Sequence, residues 1–450
     1  MKRRRSDVQD GDDDDERRAK RPLLNDQLDE DEASLFRLQY PSTDRPAAPV
    51  PFQQPSQLLS FSYTPARVLE FNDSALRYYV HPPPGADLRY GYERWVKRPE
   101  ERGRLDGLLK AIVKFRSRLD ASGSSGDAWL RDMSVVSWRG VMTKEDMTPH
   151  HRLQSYYGYA FESYCTSSIP DRREVAEQNS QRQAVGWGGD VDTNVQWCSV
   201  VKTKLGNDRL VIGGEVDCVR SACFPSKAYE VIEHPAGKYT GKPDTFVELK
   251  TSLNIRGPQD EAKFEKKLLK FYFQSFLLGV PEIVVGFRKP SGQLTTVQSF
   301  QTIQIPRLVR GKPGAWDPSV CLKWGEQFLK SLKRTVSEPH PQSYSGSAER
   351  EPVAARLKLP VWRVKFVPGA GVSVRPLDMV GIEDVEERED RVGFLPKWYL
   401  EELGVSTDEE PRPQPTLSSS NAEPPPLRTE LSRDVAGEEP GSPLSAERKM

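Results

Sequence analysis

The feature that most constrains this chain is a pair of acidic residues within an apolar stretch. In LVIGGEVDCV (210–219), Glu215 and Asp217 stand among apolar residues and follow two glycines. Strands are depleted of acidic residues, and burying a carboxylate without a partner costs free energy. Because side chains alternate between the two faces of a strand, both acids should share one face, with Val216 and Cys218 on the other, core-facing side.

A second stretch, FVELKT (246–251), repeats this pattern with Glu248 and Lys250 on one face. If the two strands are neighbours, three carboxylates and a lysine converge. Such carboxylates repel one another unless a cation lies between them, and Mg²⁺ fits best when a substrate supplies phosphate oxygens. The lysine can orient or activate an attacking water, or neutralise charge on the phosphate. Either motif alone is typical of a solvated strand face, but together they predict metal-dependent phosphodiester cleavage.

Other stretches offer residues for the same site. Glu162 stands among aromatic residues in the predicted helix 156–165, either as a further carboxylate or on an exposed helical turn. Arg139 suits bidentate binding of phosphate, and the neighbouring Trp138 can stack on a base or pack in the core. Gly213 and Gly214 leave room for close approach to the strand, which we interpret as space for a ligand.

A basic stripe marks the predicted helix 260–279. Lys263, Lys267, Lys270 and Gln274 recur at i, i+4, i+7 and i+11. Such a stripe is usually a solvated face. Beside a nuclease site it can also follow a nucleic-acid backbone.

The remaining patterns mix helices and strands and predict one α+β or α/β domain around a central sheet. Helices are expected at 104–119, 260–279 and 319–334, and strands at 194–219, with a turn at 206–208, and at 244–252 and 282–288. We expect a folded domain over 45–403, a disordered tail with basic clusters over 1–44 and a second disordered tail over 404–450. The clusters at 2–5 and 17–21 suit a bipartite nuclear-import signal or, alternatively, a solvated charge tail.

Composition excludes several classes. The 450 residues include 65 basic and 65 acidic side chains, so the net charge of zero says nothing about partners. The five cysteines include no CxxC pair, which favours free thiols in a reducing compartment over a zinc module. No apolar run approaches the ~18 residues of a membrane span, and no signal peptide is evident, so we expect a soluble intracellular protein without membrane contact.

Taken together, these motifs resemble the DXO family of RNA 5′-end decapping nucleases. The resemblance spans residues 67 to 403 and rests on SWRGVMTK, GYAFE, TNVQWCSVVKTKLGN, GGEVDC, VELKTS, KKLLKFYFQSFLLGVPEIVVGFR, WDPSVC and FLPKWYLEEL. It implies an α+β fold with a central mixed sheet of PD-(D/E)xK nuclease type, a second smaller sheet and flanking helices. It also implies Mg²⁺- or Mn²⁺-dependent hydrolysis at RNA 5′ ends, with two ions when substrate is bound. The family removes incomplete caps and NAD caps, and it releases pyrophosphate from 5′-triphosphates.

The resemblance also assigns roles to residues of this chain. The implied metal ligands are Glu162, Glu215, Asp217, Glu248 and the backbone carbonyl of Leu249. Lys250 and Gln274 would hold the scissile phosphate and the attacking water. The implied RNA contacts are Arg67, Trp138, Arg139, Gly140 and Cys198. The basic N-terminus resembles the nuclear branch of the family, whose members bind and stimulate an XRN-class 5′→3′ exoribonuclease.

The chain departs from the family pattern in one region. Only HHRLQSYY separates Pro149 from Gly158, where the family has a longer segment with two strands, and a further shortening precedes Arg67. An incomplete substrate wall would favour the alternative of a non-catalytic partner that stabilises the exoribonuclease. A DNA-directed nuclease of the wider PD-(D/E)xK group is a third class, which recognition of the 2′-hydroxyl would separate.

Overall fold

The computed structural model describes residues 36–41, 48–99, 104–142, 152–170, 184–221, 241–312, 314–338, 359–367, 369–387 and 389–406. The predictions for the basic clusters and for the C-terminal tail beyond residue 406 lie outside these residues, as does Cys223. Helices and strands follow one another irregularly along the chain, and the resulting sheets mix parallel and antiparallel pairs, which confirms the α+β prediction.

The strands are β1 (Phe36–Leu38), β2 (Phe52–Tyr63), β3 (Leu69–Glu70), β4 (Tyr78–Tyr79), β5 (Val135–Trp138), β6 (Thr166–Ser167), β7 (Gln196–Leu205), β8 (Asp208–Glu215), β9 (Cys218–Val219), β10 (Phe246–Leu253), β11 (Glu282–Arg288), β12 (Leu294–Gln301), β13 (Trp362–Val367), β14 (Gly371–Pro376), β15 (Arg391–Val392) and β16 (Leu395–Pro396). The helices are α1 (Asp106–Ala121), α2 (Gly126–Arg131), α3 (Arg139–Met142), α4 (Arg152–Cys165), α5 (Pro258–Phe276), α6 (Ile305–Val309), α7 (Pro318–Ser337), α8 (Met379–Glu386) and α9 (Lys397–Glu402).

The larger sheet has six strands in the order β12-β11-β10-β9-β4-β6. β10 runs parallel to β11, and β4 parallel to β9, whereas β12 and β6 pair antiparallel at the two edges. Every residue of β11 is buried, so its sequence EIVVGFR shows no alternation of apolar and polar residues. A strand of this kind requires a covering layer on both faces of the sheet.

Helices α4 and α5 supply those two layers. Phe161 of α4 shares a buried cluster with Leu249 of β10, and Leu268 of α5 packs with Ile283 of β11. A Cβ atom at Gly286 would lie 2.5 Å from the Phe161 ring, so glycine is needed in β11 for α4 to approach the sheet. The sheet is therefore held between an aromatic helix and a basic, amphipathic one.

The sequence of α5 explains its placement. Phe264, Leu268 and Phe271 are buried at i, i+4 and i+7, which is the spacing of one helix face. Past the helix end, Gly279 adopts a left-handed φ of 76°, which favours glycine and turns the chain toward β11. The predicted helix over 260–279 thus exists with slightly earlier bounds at both ends.

The second sheet has five strands in the order β3-β2-β7-β8-β5. β7 and β8 form the predicted hairpin, which turns at Gly206. The prediction of one continuous strand over 210–219 is wrong, because β8 ends at Glu215 and the chain enters the larger sheet as β9 at Cys218. The acidic pair therefore lies where the chain passes from one sheet to the other.

Two smaller features complete the fold. Within the range predicted as an N-terminal tail, β1 pairs antiparallel with β14, so the folded part of the chain includes residues before position 45. Near the C-terminus, Arg391 donates two hydrogen bonds of 2.8 and 2.9 Å to Asp106 and thereby ties β15 to α1. None of the helices in the described ranges combines the length and the apolar character needed to cross a bilayer.

Candidate active site

The two acidic stretches meet at the junction of the sheets. Glu215 is the last residue of β8, and Asp217 directly precedes β9. β9 pairs antiparallel with β10, which confirms that the two stretches are neighbours. The Oδ2 atom of Asp217 accepts a hydrogen bond of 2.7 Å from the backbone amide of Leu249. This contact anchors the Asp217 carboxylate beside Glu248.

Glu248 is the most enclosed of the four predicted acids, with a side chain that is 1% exposed. Its Oε2 accepts a hydrogen bond of 2.8 Å from Nη1 of Arg139, and its Oε1 accepts one of 2.6 Å from Nζ of Lys250. Arg139 also donates to the backbone carbonyl of Gln274, at 3.3 Å. Burial alone would raise the pKa of Glu248, but the two cations bring it down to about 2. Glu248 is therefore an ionised carboxylate with a cation on each oxygen.

The other three acids line an open cavity of about 660 Å³. Glu215 and Asp217 come from the sheet junction, and Glu162 comes from α4, so all three predicted cavity ligands face one space. Burial raises the pKa of each, that of Asp217 to about 7, and repulsion from neighbouring carboxylates is the next largest cause for Glu162 and Asp217. For Glu215, Arg139 and Gln196 offset part of the effect of burial. A cation entering this cavity would relieve that repulsion.

The donor types fit a divalent cation, because carboxylate oxygens are the ligands that Mg²⁺ and Mn²⁺ prefer. Their arrangement is less complete: among the described residues, no three acidic, histidine or cysteine side chains form a group that could hold a metal ion. Glu248 is turned toward Arg139 and Lys250, and Asp217 toward the amide of Leu249. Ligation by all four acids therefore requires these contacts to rearrange.

Arg67 reaches the acidic wall through another residue. It follows β2 with a φ of 59°, and its Nη1 donates to Oε1 of Gln196 at 2.8 Å and to the backbone carbonyl of Asn194 at 3.0 Å. Gln196 in turn donates to Oε2 of Glu215 at 2.8 Å. Gln196 was not among the site residues predicted from the sequence, although it lies within the TNVQWC stretch that carried part of the resemblance.

Trp138 is half-buried and packs against the core, and its predicted contact with RNA stays a prediction. Its indole N–H donates to the backbone carbonyl of Arg104 at 2.8 Å, and its ring lies against Gly213, where a Cβ would approach to 2.8 Å. A Cβ at Gly214 would meet Leu278 at 2.5 Å. The glycine pair therefore makes room for internal side chains, and the interpretation of that space as a ligand site is wrong.

Two of the residues predicted to contact RNA differ in exposure: Cys198 is buried and Gly140 is exposed. Cys198 is buried opposite Glu215 in the β7–β8 ladder, and burial raises the pKa of its thiol. Gly140 is exposed in α3, with open space where a side chain would lie. Gln274 lies on α5 next to Arg139. The RNA contacts predicted for these residues stay predictions.

The same cavity also has basic and aromatic lining residues, which were not predicted from the sequence. They are Arg77, Trp95, Lys97, Arg98 and Tyr159. The Lys97 ammonium lies 4.7 Å from the centre of the Trp95 ring, and the rings of Trp95 and Tyr159 are 5.6 Å apart. The interleaved stretch RWVKR (94–98) was the available signal, since cations beside aromatic rings are typical of nucleic-acid binding.

The basic stripe of α5 lies at the surface. Lys263 and Lys267 are exposed, and Lys270 is half-buried nearer the site. Since Arg139 contacts the backbone of Gln274, the stripe ends beside the Glu248 network. Its role in following RNA stays a prediction.

An acidic, lysine-containing site of this kind, at the junction of two sheets and flanked by helices, is typical of a nuclease of the PD-(D/E)XK class, whose members depend on a divalent metal ion. The family model described as "RAI1 like PD-(D/E)XK nuclease" matches residues 53–145 and 144–400. The chain therefore belongs to this family and is a hydrolase of nuclease type, which confirms the prediction drawn from the motifs.

Curated relatives and solved structures agree with this assignment. Decapping nuclease RAI1 of Mycosarcoma maydis is 34% identical over 78% of this chain and 87% of its own length. The Decapping and exoribonuclease protein of Bos taurus is 32% identical over 83% of this chain and 90% of its own. The crystal structure of S. pombe Rai1 in complex with 3′-FADP is 25% identical, with a TM-score of 0.54 over 76% of this chain and 99% of that chain. Rai1 of Candida albicans in complex with pU5 and Mn²⁺ shares the fold, with a TM-score of 0.59 and 22% identity over 82% of this chain and 99% of that chain.

The comparisons also bear on the shortened region. The two matched stretches of the family model meet at residues 144–145, close to the segment between Pro149 and Gly158. The alignment with the M. maydis relative runs over 458 positions but covers 78% of the 450-residue chain, so it contains gaps in this chain. Residues 143–151 lie outside the described part of the structure. The family model thus matches in two separate stretches, and the boundary between them lies next to the segment in which this chain has fewer residues than the family.

Proposed function

We propose that this protein hydrolyses RNA at its 5′ end and acts on 5′-triphosphate, incompletely capped and NAD-capped RNA. The observation that carries the proposal is the common cavity of Glu162, Glu215 and Asp217, with Glu248 and Lys250 on the neighbouring strand β10. The substrate class comes from the relatives, whose names describe decapping and exoribonuclease proteins. The basic and aromatic residues that line the same cavity suit a nucleotide end with its phosphates.

Divalent metal is part of the proposal, with Mg²⁺ or Mn²⁺ as the ion and two ions when substrate is bound. Glu162, Glu215, Asp217 and Glu248 would hold it, together with the backbone carbonyl of Leu249. A bound ion would supply charge stabilisation at the phosphate and would acidify the attacking water.

The chain's own cations have separate tasks. Lys250, which neutralises Glu248 across 2.6 Å, is placed to stabilise negative charge that develops on the phosphate. Arg139 exchanges its contact with Glu248 for a phosphate oxygen, since a guanidinium binds carboxylate and phosphate with the same geometry. Gln274 lies beside Arg139 and orients the attacking water. Each of these residues lies on a helix or strand of the fold: Arg139 on α3, Lys250 on β10 and Gln274 on α5.

The cellular setting belongs to the same proposal. The basic clusters near the N-terminus favour the nucleus, and the nuclear branch of the resemblance favours an XRN-class 5′→3′ exoribonuclease as partner. The family model matches in two stretches that meet near residue 145, beside the shortened segment. This observation favours a second candidate function, in which the protein is not catalytic and stabilises this exoribonuclease.

A panel of RNA 5′ ends tests the activity. Purified protein is incubated with 5′-triphosphate, unmethylated-cap, methylated-cap, NAD-cap and 5′-monophosphate RNAs, with Mg²⁺ or Mn²⁺, and the released product is identified. Pyrophosphate, a cap dinucleotide or NAD is expected and identifies the bond that is cut. Equal rates on matched DNA would point to the DNA-directed class. No metal-dependent product from any RNA, combined with stimulation of the exoribonuclease, would favour the non-catalytic function.

A further inference from the structure

Gln196 lies at the centre of a hydrogen-bond network on the acidic wall. It is the first residue of β7 and shares a strand face with Cys198, which pairs with Glu215 across the β7–β8 ladder. Its Nε2 donates to Oε2 of Glu215 at 2.8 Å. A neutral amide thus contacts a predicted metal ligand directly, and it lines the same cavity.

Two arginines determine which end of this amide faces Glu215. Nη1 of Arg67 donates to Oε1 of Gln196 at 2.8 Å, and Nη1 of Arg98 donates to the same oxygen at 3.3 Å. A guanidinium has donors and no acceptor, so the oxygen end must face the arginines. The NH₂ end must then face the carboxylate, which accepts.

The arginines are themselves held in place. Arg67 has a left-handed φ of 59°, which a residue with a side chain rarely adopts, and its guanidinium lies 3.9 Å from the centre of the Tyr63 ring. The backbone amide of Arg98 donates to Oγ1 of Thr193 at 2.8 Å. Strain retained at a site of this kind indicates that the surrounding contacts require the conformation.

We propose that Gln196 is a positioning residue that orients Glu215 for a divalent cation, and that Arg67 and Arg98 select the orientation of its amide. The metal in this inference rests on the proposed function. Partners that orient a metal ligand without touching the metal typically contribute ~10- to 100-fold to metal affinity or activity. Gln196 therefore sets how well Glu215 binds the ion without itself contacting RNA.

Replacement of Gln196 by methionine tests this role, because methionine has nearly the same length and no hydrogen-bonding amide. Mn²⁺ affinity is measured by calorimetry without RNA, and the unfolding temperature confirms that the variant folds. Gln196→Met should bind Mn²⁺ at least ~10-fold more weakly, and in turnover it should need more Mn²⁺ while the KM for RNA at saturating Mn²⁺ stays near that of the wild type. Thr203→Val is the matched control, since it removes a buried side-chain hydrogen bond from the same strand, to the backbone of Gln53, away from the cavity.

In a second variant, Arg98→Met, the two possible roles of the arginine predict opposite changes in Mn²⁺ affinity. Arg98→Met removes a cation near the acids, which by Coulomb's law alone should strengthen Mn²⁺ binding. It also removes one of the two contacts that orient Gln196, which should weaken it. Weaker Mn²⁺ binding by this variant supports the positioning role even if Gln196→Met fails to fold.

Three results would overturn the inference. These are unchanged Mn²⁺ affinity in folded Gln196→Met, an equal loss in Thr203→Val, and stronger Mn²⁺ binding by Arg98→Met. If the wild type binds Mn²⁺ and cuts RNA, such results leave the proposed function intact. A wild type that binds no Mn²⁺ with or without RNA, and that cuts no RNA, would overturn both.

Discussion

The four acids of the candidate site divide into two groups with opposite electrostatics. Glu248 has a cation on each oxygen and a pKa lowered to about 2. Glu162, Glu215 and Asp217 face the cavity with raised pKa values, because burial, together with repulsion from other carboxylates, outweighs the effect of the nearby cations. The motifs EVD and ELK look alike in sequence. Within the described residues, the carboxylates of EVD lack a cation that neutralises them, whereas the carboxylate of ELK is already neutralised by Arg139 and Lys250.

The two groups therefore contribute differently: the Glu248 network holds side chains in position before a ligand binds, and the cavity acids provide affinity for a cation. The Glu248 network with Arg139 and Lys250 is complete in the protein alone, so it stabilises the fold and holds its lysine in position. The cavity acids destabilise one another until something positive arrives, so they supply the driving force for binding a cation. Variants of the two groups should therefore resemble each other in activity and differ in stability.

The largest expected effect is the loss of hydrolysis in either group. Asp217→Asn and Glu248→Gln should each lower kcat/KM for 5′-triphosphate RNA by more than the ~10²- to 10³-fold that removal of a single electrostatic donor costs. The reason is that both acids are needed around the same cation. Pyrophosphate release in the presence of Mg²⁺ or Mn²⁺ measures this. Turnover that stays within tenfold of the wild type in both variants would contradict the assignment.

Stability should separate the same two variants. Glu248→Gln leaves Arg139 and Lys250 together without their counter-ion, and losing one partner of a buried charge pair costs ~3–5 kcal/mol of the free energy of unfolding. Asp217→Asn removes a charge that burial disfavours and keeps an oxygen for the Leu249 amide, so at pH 8 without metal it should increase that free energy. Urea unfolding of both variants measures the contrast. A similar destabilisation in both would show that the two groups are not distinct.

Sequence patterns predicted the parts of this site that depend on local periodicity. A 2-residue period predicted one shared strand face for the acids of EVD and one for the charged pair of ELK. The prediction required the two stretches to be neighbours, and the pairing of β9 with β10 meets this condition. The helix that carries Glu162 was predicted from its run of aromatic residues, and the acid lines the cavity, as its interpretation as a further carboxylate of the site requires.

What the sequence could not supply depends on distant parts of the chain. The packing of Trp138 against the core depends on Gly213 and Arg104, which lie on other segments. The break between β8 and β9 follows from the geometry of two sheets, which no local period encodes. The pairing of Arg139 with Glu248 joins residues separated by 109 positions, and only the fold brings them together.

The pH dependence of metal binding follows from the raised pKa values. A carboxyl group whose folded pKa lies above its unfolded value contributes stability at low pH and loses it as the pH rises through the folded value. For Asp217 this window extends from about 4, its usual pKa, to about 7. Without metal, the protein should therefore lose stability between these values, whereas Glu248 stays ionised throughout because its pKa is about 2.

Mn²⁺ replaces the protons of the cavity acids, so the rise in unfolding temperature on adding Mn²⁺ should be larger at pH 8 than at pH 5.5. Thermal unfolding with Mn²⁺ or with a chelator at both pH values measures this. Asp217→Asn should reduce the difference between the two pH values, and Thr203→Val should not. A rise that is independent of pH in the wild type would contradict the raised pKa values.

The smallest expected effect is a loss of RNA affinity on changing the basic stripe of α5, which ends beside the Glu248 network. If the stripe of α5 follows the RNA backbone, combined replacement of Lys263, Lys267 and Lys270 by glutamine should weaken RNA binding several-fold and leave kcat unchanged. Each lost phosphate contact should flatten the dependence of log affinity on log salt by ~0.7 for a single strand. Filter binding of a 5′-monophosphate RNA at several salt concentrations measures the slope.

A charge-matched control distinguishes the stripe from general electrostatics. Lys110, Lys202 and Lys330 are exposed lysines on other elements, and their combined replacement by glutamine removes the same charge. If the RNA runs along α5 from Gln274, only the stripe variant should lose salt dependence. Equal slopes in both variants would mean that the stripe is a solvated face. The downstream RNA would then leave on the cavity side, where Arg77 and Lys97 line the wall.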